Sequence, residues 1–321
     1  MGVVRRPAAL AVVALALVCA QARAGSGAAP VQLLTYSAPV GDRGSAAGPG
    51  GGLCFAKHDG SKRLRLTGGQ HDDRMPAWSP DGKYVAFYRQ ERAGGAVFDV
   101  LLADTRGRVV RNVSRGYGVF NTDPTWSPDG KRLAFVASYR GSELAVVDPD
   151  GSHAHTIIRG TRSSLRTPAW SPRGNRIAFT LDPDNGPPAI YTVKTDGSDA
   201  RLLIRNAADP TWSPNGAKLA YVMSDVTSQG RGLAVANADG TGARKLTSSA
   251  GEESRPAWSP RGDLIAFARS DGRSRIVTVK ATGGNERTVV STRRYDAVEP
   301  AWRPPVALPV AARAACAQAA R

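Results

Sequence analysis

One short pattern, Pro-x-Trp-Ser-Pro-x-Gly, recurs along the chain and limits what it can fold into more than any other feature. Its copies are PAWSPDGKYVAF (Pro76–Phe87), PTWSPDGKRLAF (Pro124–Phe135), PAWSPRGNRIAF (Pro168–Phe179), PTWSPNGAKLAY (Pro210–Tyr221) and PAWSPRGDLIAF (Pro256–Phe267), with a truncated PAWRPP at Pro300–Pro305. Trp78, Trp126, Trp170, Trp212, Trp258 and Trp302 are therefore spaced by 48, 44, 42, 46 and 44 residues. A blade of four antiparallel strands repeats every ~40–45 residues. Ser-Pro-Asp-Gly is a tight-turn sequence, because proline presets φ and glycine accepts the positive φ that closes a hairpin. The short strand before it carries Trp, and the apolar strand after it ends in Phe or Tyr. A third strand follows, as in Glu143–Asp148, Ala189–Thr195 and Gly232–Ala238. An Asp-Gly turn then leads to a fourth strand, such as Arg201–Ile204 or Arg244–Thr247. The pattern predicts an all-β, six-bladed β-propeller of four-stranded blades. Recurrence at the blade period assigns the six tryptophans to the structural core and not to a stacking platform for sugars or bases.

Trp302 has no strands after it, because Pro304-Pro305 follows. The missing strands are supplied by the other end of the chain: Gln32–Ser37, Leu53–Lys57 and Lys62–Thr67. The ring is expected to close by N-terminal strands completing the C-terminal blade, which removes the edges an open ring would expose.

Residues 1–24 read as a signal peptide, with basic Arg5 and Arg6, an apolar Ala8–Val18 stretch and the cleavage sequence Ala22-Arg23-Ala24. A lipoprotein reading through Cys19 fits less well, since Val18 stands where a small residue is usual. The expected organisation is a signal peptide at 1–24, the propeller at 25–305 and an Ala-rich tail at 306–321. The product is then exported, periplasmic or extracellular, not membrane-spanning, and a monomer. Arg5, Arg6 and Arg23 leave with the signal and no acid does, so the net charge falls from +16 to +13. That charge favours an anionic envelope polymer or lipid surface as a contact, and the rigid ring with its long loops is expected to take an envelope or secreted protein as partner; nothing points to nucleic acid. Only Cys54 and Cys316 remain, and in an oxidising compartment they are a candidate disulfide across the closure, the alternative being a buried Cys54 and a free Cys316.

The Trp-Ser-Pro-Asp-Gly segments, the Asp-Gly turns and the terminal Leu66-Thr67 and Leu246-Thr247 resemble the WD40-like repeats of the TolB-like propeller family. Similar repeats occur in the propellers of prolyl-oligopeptidase-like peptidases and oligogalacturonate lyases. The resemblance implies a partner-binding propeller. TolB itself is a periplasmic component of the Tol–Pal system whose propeller contacts a peptidoglycan-associated lipoprotein, and it carries an α/β domain ahead of the propeller. Here the first strand follows closely on the expected cleavage site, so that domain is expected to be missing, which puts the full Tol–Pal role in question and leaves the propeller and its partner binding as what the resemblance implies.

Strand parity places the two tight turns of each blade on one face and the long loops on the other. Long loops on a rigid scaffold are the usual place for binding. The candidate partner-binding residues of that channel face are His71, Asp72, Asp73, Arg74, Tyr117, Phe120, Asp123, Arg166, Asp209, Glu252, Glu253, Arg255, Tyr295, Asp296 and Glu299. The bland alternative is that the carboxylates beside proline serve turns. Asp182-Pro183-Asp184-Asn185-Gly186 has the flavour of a calcium loop without its spacing, so no cofactor is expected. No nucleophile elbow, P-loop or zinc-peptidase motif is present, and only four histidines occur in the chain. The chain therefore reads as a non-enzymatic scaffold; the alternative is a lyase or hydrolase acting on carbohydrate through channel-face carboxylates.

Overall fold

The computed structural model describes residues 32–38, 51–61, 63–67, 71–90, 97–138, 141–160, 163–224, 232–248, 251–292 and 298–305. The expected signal segment 1–24, the tail 306–321, Tyr295, Asp296 and Cys316 lie outside them. All regular structure among the described residues is β-strand. The chain opens with β1 (Leu33–Ala38), β2 (Gly52–Lys57) and β3 (Leu64–Arg65). Next come β4 (Asp72–Trp78), β5 (Tyr84–Gln90), β6 (Phe98–Asp104) and β7 (Val109–Asn112), then β8 (Phe120–Trp126), β9 (Leu133–Ser138), β10 (Ser142–Val147) and β11 (His155–Gly160). They are followed by β12 (Ser163–Trp170), β13 (Arg176–Pro183), β14 (Ala189–Lys194) and β15 (Arg201–Arg205), and by β16 (Ala207–Trp212), β17 (Lys218–Met223), β18 (Gly232–Asn237) and β19 (Arg244–Lys245). The last are β20 (Glu252–Trp258), β21 (Leu264–Ser270), β22 (Ser274–Lys280), β23 (Arg287–Thr292) and β24 (Val298–Trp302).

These strands make an all-β propeller, but the expectation of six separate four-stranded blades is corrected. Among the described residues four discrete four-stranded sheets occur: β24-β1-β2-β3, β12–β15, β16–β19 and β20–β23. The strands β4–β11 form one continuous eight-stranded sheet. The join is a parallel bridge between Phe98 and Phe120, in which the Phe98 N–H donates to Val119 O at 2.8 Å. The two rings pack edge-on, with centroids 5.2 Å apart. Sheet β24-β1-β2-β3 pairs the two ends of the described chain, with Leu34 opposite Trp302 and Thr35 opposite Ala301.

Each repeat builds its hairpin in the same way. The Ser79 N–H donates to Tyr84 O at 2.9 Å and the Gly82 N–H to Ser79 O at 2.8 Å, with Gly82 at φ 66°. That is a type I turn closed by a left-handed glycine, a geometry a Cβ would strain. The Ser127, Ser171, Ser213 and Ser259 turns repeat the same bonds. The Leu-Thr endings also have a structural reason. The Leu53 N–H donates to Thr67 Oγ1 at 3.0 Å and the Leu233 N–H to Thr247 Oγ1 at 2.9 Å, so a hydroxyl replaces the ladder and stops β3 and β19 short.

The core lies between neighbouring sheets. Phe87, Phe135, Phe179 and Phe267, the last apolar residue of four copies, are fully buried, each side chain worth about 1.5–3 kcal/mol of transfer free energy. Five of the tryptophans are buried and Trp212 is partly buried. Three indole N–H groups tie one repeat to the one before it: Trp126 to Ala77 O at 3.1 Å, Trp212 to Ala169 O at 3.1 Å and Trp302 to Ala257 O at 2.9 Å.

Cys54 on β2 is a free, buried thiol. Burial pushes its pKa from 9.0 to about 11, against smaller opposing effects of Arg65 and Tyr36. The native state thus keeps a proton that the unfolded chain loses. The stability tied to this thiol is complete below pH 9 and declines as the pH rises toward 11, by about 3 kcal/mol in all. In reduced protein, Cys54→Ala should flatten the alkaline limb of the stability curve over that interval, as read by urea unfolding. An unchanged slope would refute the assignment.

Candidate functional site

The residue before each repeat proline has a left-handed backbone: Met75 (φ 55°), Asp123 (54°), Thr167 (51°), Asp209 (54°), Arg255 (54°) and Glu299 (65°). Side chains rarely adopt this region, and a following proline disfavours helical backbone further. At each of these positions the pairing to the next strand slips its register, for example between Arg74 and Ala77 and between Ser254 and Ala257. A bulge of this kind re-aims one side chain. Here all six line an axial cavity of about 170 Å³ together with their prolines.

Bonds between neighbours hold the strained positions. Glu299 Oε2 accepts the Met75 N–H at 2.7 Å and the Ser37 hydroxyl at 2.7 Å. Asp209 Oδ2 accepts the Arg255 N–H at 2.9 Å, and the Asp209 N–H donates to Thr180 Oγ1 at 2.9 Å. The Arg255 guanidinium, from the fifth repeat, reaches Asp123 Oδ1 of the second at 2.5 Å. Burial alone would lower the Arg255 pKa, but Asp123, Asp209 and Glu299 outweigh it and hold the group charged. Arg166 bridges Asp209, at 2.8 Å, and Asp182. The axial carboxylates are therefore occupied by cations and backbone N–H groups.

A larger cleft of about 720 Å³ opens beside the axis, between β12–β15, β16–β19 and β20–β23. Its apolar wall is Val222, Met223, Pro187 and Pro188. Its charged groups are Asp182, Asp209, Glu252 and Glu253 against Arg166 and Arg269, which leaves two negative charges in excess. Glu253 is buried and bound to Arg269 at 2.6 and 3.0 Å, while Glu252 stands exposed at the rim.

The expected site residues divide between these places. Asp123, Asp209, Arg255 and Glu299 line the axial cavity, and Arg166, Asp209, Glu252 and Glu253 line the cleft. Asp72, Asp73 and Arg74 lie on β4 with His71 just before it; Asp72 pairs with Arg74 at 3.0 Å, and buried Asp73 takes both arms of Arg89 at 2.6 and 2.9 Å. Tyr117 and Phe120 line neither cavity. Tyr117 packs edge-on against Phe135 and shares a 2.6 Å hydrogen bond with Thr156, and Phe120 serves the seam with Phe98. Sequence reasoning passed over Met75 and Thr167 on the axis and Arg89 and Arg269 beside it. The signal for the first two was their place before a repeat proline. Asp182, from the calcium-like loop, holds Arg166; among the described residues no three His, Cys, Asp or Glu side chains are grouped to hold a metal ion.

Residues 43–306 match the family model described as the TolB beta propeller domain. Similar solved structures include TolB from Acinetobacter baumannii (24% identity, TM-score 0.67, covering 85% of this chain and 67% of that one). A putative TolB from Agrobacterium tumefaciens shares 18% identity at TM-score 0.64, over 84% of this chain and 92% of that one. A chain of a nidogen/laminin complex shares 11% identity at TM-score 0.65, over 86% of this chain and 100% of that one. Enzymes carry related folds too, among them an oligogalacturonate lyase in complex with manganese. At these identities the likeness is one of fold. No curated protein matches the chain.

Proposed function

Because this chain belongs to the TolB β-propeller domain family, we propose that it is an exported, non-enzymatic scaffold that binds a protein partner through its long-loop face. The observation that carries this reading is the cleft at Arg166, Asp182 and Glu252, which joins an apolar wall to excess negative charge in one concave site. It fits a partner segment that presents Lys or Arg next to apolar residues. The exported character rests on the Arg5–Ala24 signal pattern. A non-enzymatic role is supported by the state of the axial carboxylates, each already engaged in holding strained backbone or a neighbouring arginine. Strained backbone gathered around one opening is a further mark of a site.

The test is capture from a cell-envelope extract with wild type, Glu252→Lys and Pro187→Glu. Both substituted residues are exposed at the rim, so the fold should survive. Proteins retained by wild type should be lost from both variants. Recovery of the same set by all three would refute the reading.

A further inference from the structure

We propose that the opposite face, the collar of Ser-Pro-x-Gly turns, docks on an anionic phospholipid surface. Equivalent residues of successive turns meet around the axis. A Cβ at Gly130 would stand 3.7 Å from Pro80, one at Gly174 3.4 Å from Pro128, and one at Gly262 3.5 Å from Pro214. The same glycine-to-proline contact at each of these seams sets these turns at one level. Neither cavity described above includes a residue of these turns. Turns set at one level present a rim that a membrane plane can meet at several points at once.

The collar is also cationic. Each of five turns contributes an exposed base: Lys83, Lys131, Arg173, Lys218 and Arg261. Acids of the same turns are directed back into them. Asp81 Oδ1 accepts the Ser79 hydroxyl at 2.7 Å and the Lys83 N–H at 3.1 Å, and Asp129 Oδ1 accepts the Ser127 hydroxyl at 2.6 Å and the Lys131 N–H at 3.1 Å. Asp263 Oδ1 accepts the Ser259 hydroxyl at 2.7 Å. Asp81 also pairs with Lys83 at 3.2 Å, so Lys131, Arg173 and Lys218 are the more effective cations. The third-to-fourth turns lie on the same side by strand parity and carry exposed Arg106, Lys194 and Lys280 beside exposed Asp150, Asp196 and Asp239, so the positive charge of this face rests on the Ser-Pro-x-Gly turns. The long-loop cleft carries the opposite sign, so a molecule seated on its collar would hold the partner cleft away from the lipid. The inference does not depend on the cleft having a partner.

Full-length protein should sediment with phosphatidylcholine vesicles that contain phosphatidylglycerol, and not with pure phosphatidylcholine, and salt should release it. Each cation near such a surface is worth about fivefold in affinity, so the triple variant Lys131→Gln, Arg173→Gln, Lys218→Gln should bind about 100-fold more weakly. The charge-preserving triple Lys131→Arg, Arg173→Lys, Lys218→Arg and the cleft variant Glu252→Lys should bind as wild type does. Every variant carries the same N-terminal segment, so its contribution cancels. The proposal is overturned by absence of binding, by equal binding of the Gln triple, or by loss in the charge-preserving one. It is equally overturned if soluble polyglutamate binds the collar more tightly than the vesicles do.

Discussion

Glu253→Ala is expected to lower the free energy of unfolding by about 3–5 kcal/mol, among the largest effects of any single substitution in this chain. The Glu253 side chain is wholly buried and that of Arg269 is 9% exposed. Oε1 receives two guanidinium N–H groups, at 3.0 and 2.6 Å, and Oε2 receives the Leu233 N–H at 2.7 Å and the Thr247 hydroxyl at 2.5 Å. One carboxylate therefore joins β20 and β21 to the neighbouring sheet at β18. Its removal leaves Arg269 charged in a site with little water, with Glu286 at 2.7 Å as its remaining anion. Glu253→Gln keeps the shape and loses the charge, and should cost less. In the double variant Glu253→Leu, Arg269→Met the loss should be smaller than the sum of the single ones, since no charge is left stranded. Urea unfolding measures all four proteins; additive losses would show that the pair is not coupled.

Arg255→Met should cost about 3 kcal/mol, for a related reason. Asp123 and Asp209 are both under a tenth exposed, and the guanidinium between them is what balances their charge on the axis. Asp209 keeps Arg166 at 2.8 Å, whereas Asp123 is left with the neutral Thr122 hydroxyl at 3.0 Å, so most of the cost falls there. Asp123→Asn in the Arg255→Met background should accordingly restore much of the stability. Calorimetry of the single and double variants decides it, and a double variant no more stable than Arg255→Met would dismiss the axial pair.

Much of the fold could be read from local chemistry. The Ser-Pro-x-Gly and Asp-Gly turns need no tertiary help, since proline, glycine and serine hydroxyls define them within a few residues. Ring closure was equally legible, because Trp302 lacks following strands and Gln32–Thr67 lacks a preceding one. The fusion of β4–β11 into one sheet was not. It depends on Phe98 and Phe120 reaching the same height, and neither residue carries a local sign of that. The axial ring was half visible. Asp123, Asp209 and Glu299 drew notice as charges beside proline, but Met75 and Thr167 did not, because the rule for pre-proline residues predicts extended backbone and the bulge overrides it. The pairs Asp73–Arg89 and Glu253–Arg269 join directly opposed residues of β4–β5 and β20–β21, at an offset of 16 in both. A search for opposite charges at one fixed offset within the repeats would have found them.

The closing sheet also bears on how such a chain comes into being. Its strand β1 is among the first described segments to be synthesised, and its neighbour β24 among the last, as the Ser37–Glu299 hydrogen bond across 262 positions makes plain. Until Val298–Trp302 has left the ribosome, β1 has an open flank and Trp78 lacks the finished wall that Thr35 and Ala301 build around it. Sheets β12–β15, β16–β19 and β20–β23 can each assemble as they emerge, but the closing sheet is completed only once β24 has been made. Premature termination anywhere before β24 would therefore leave every truncated product with an unpaired β1 flank, open to chaperones and proteases, and only chains that include β24 would escape them.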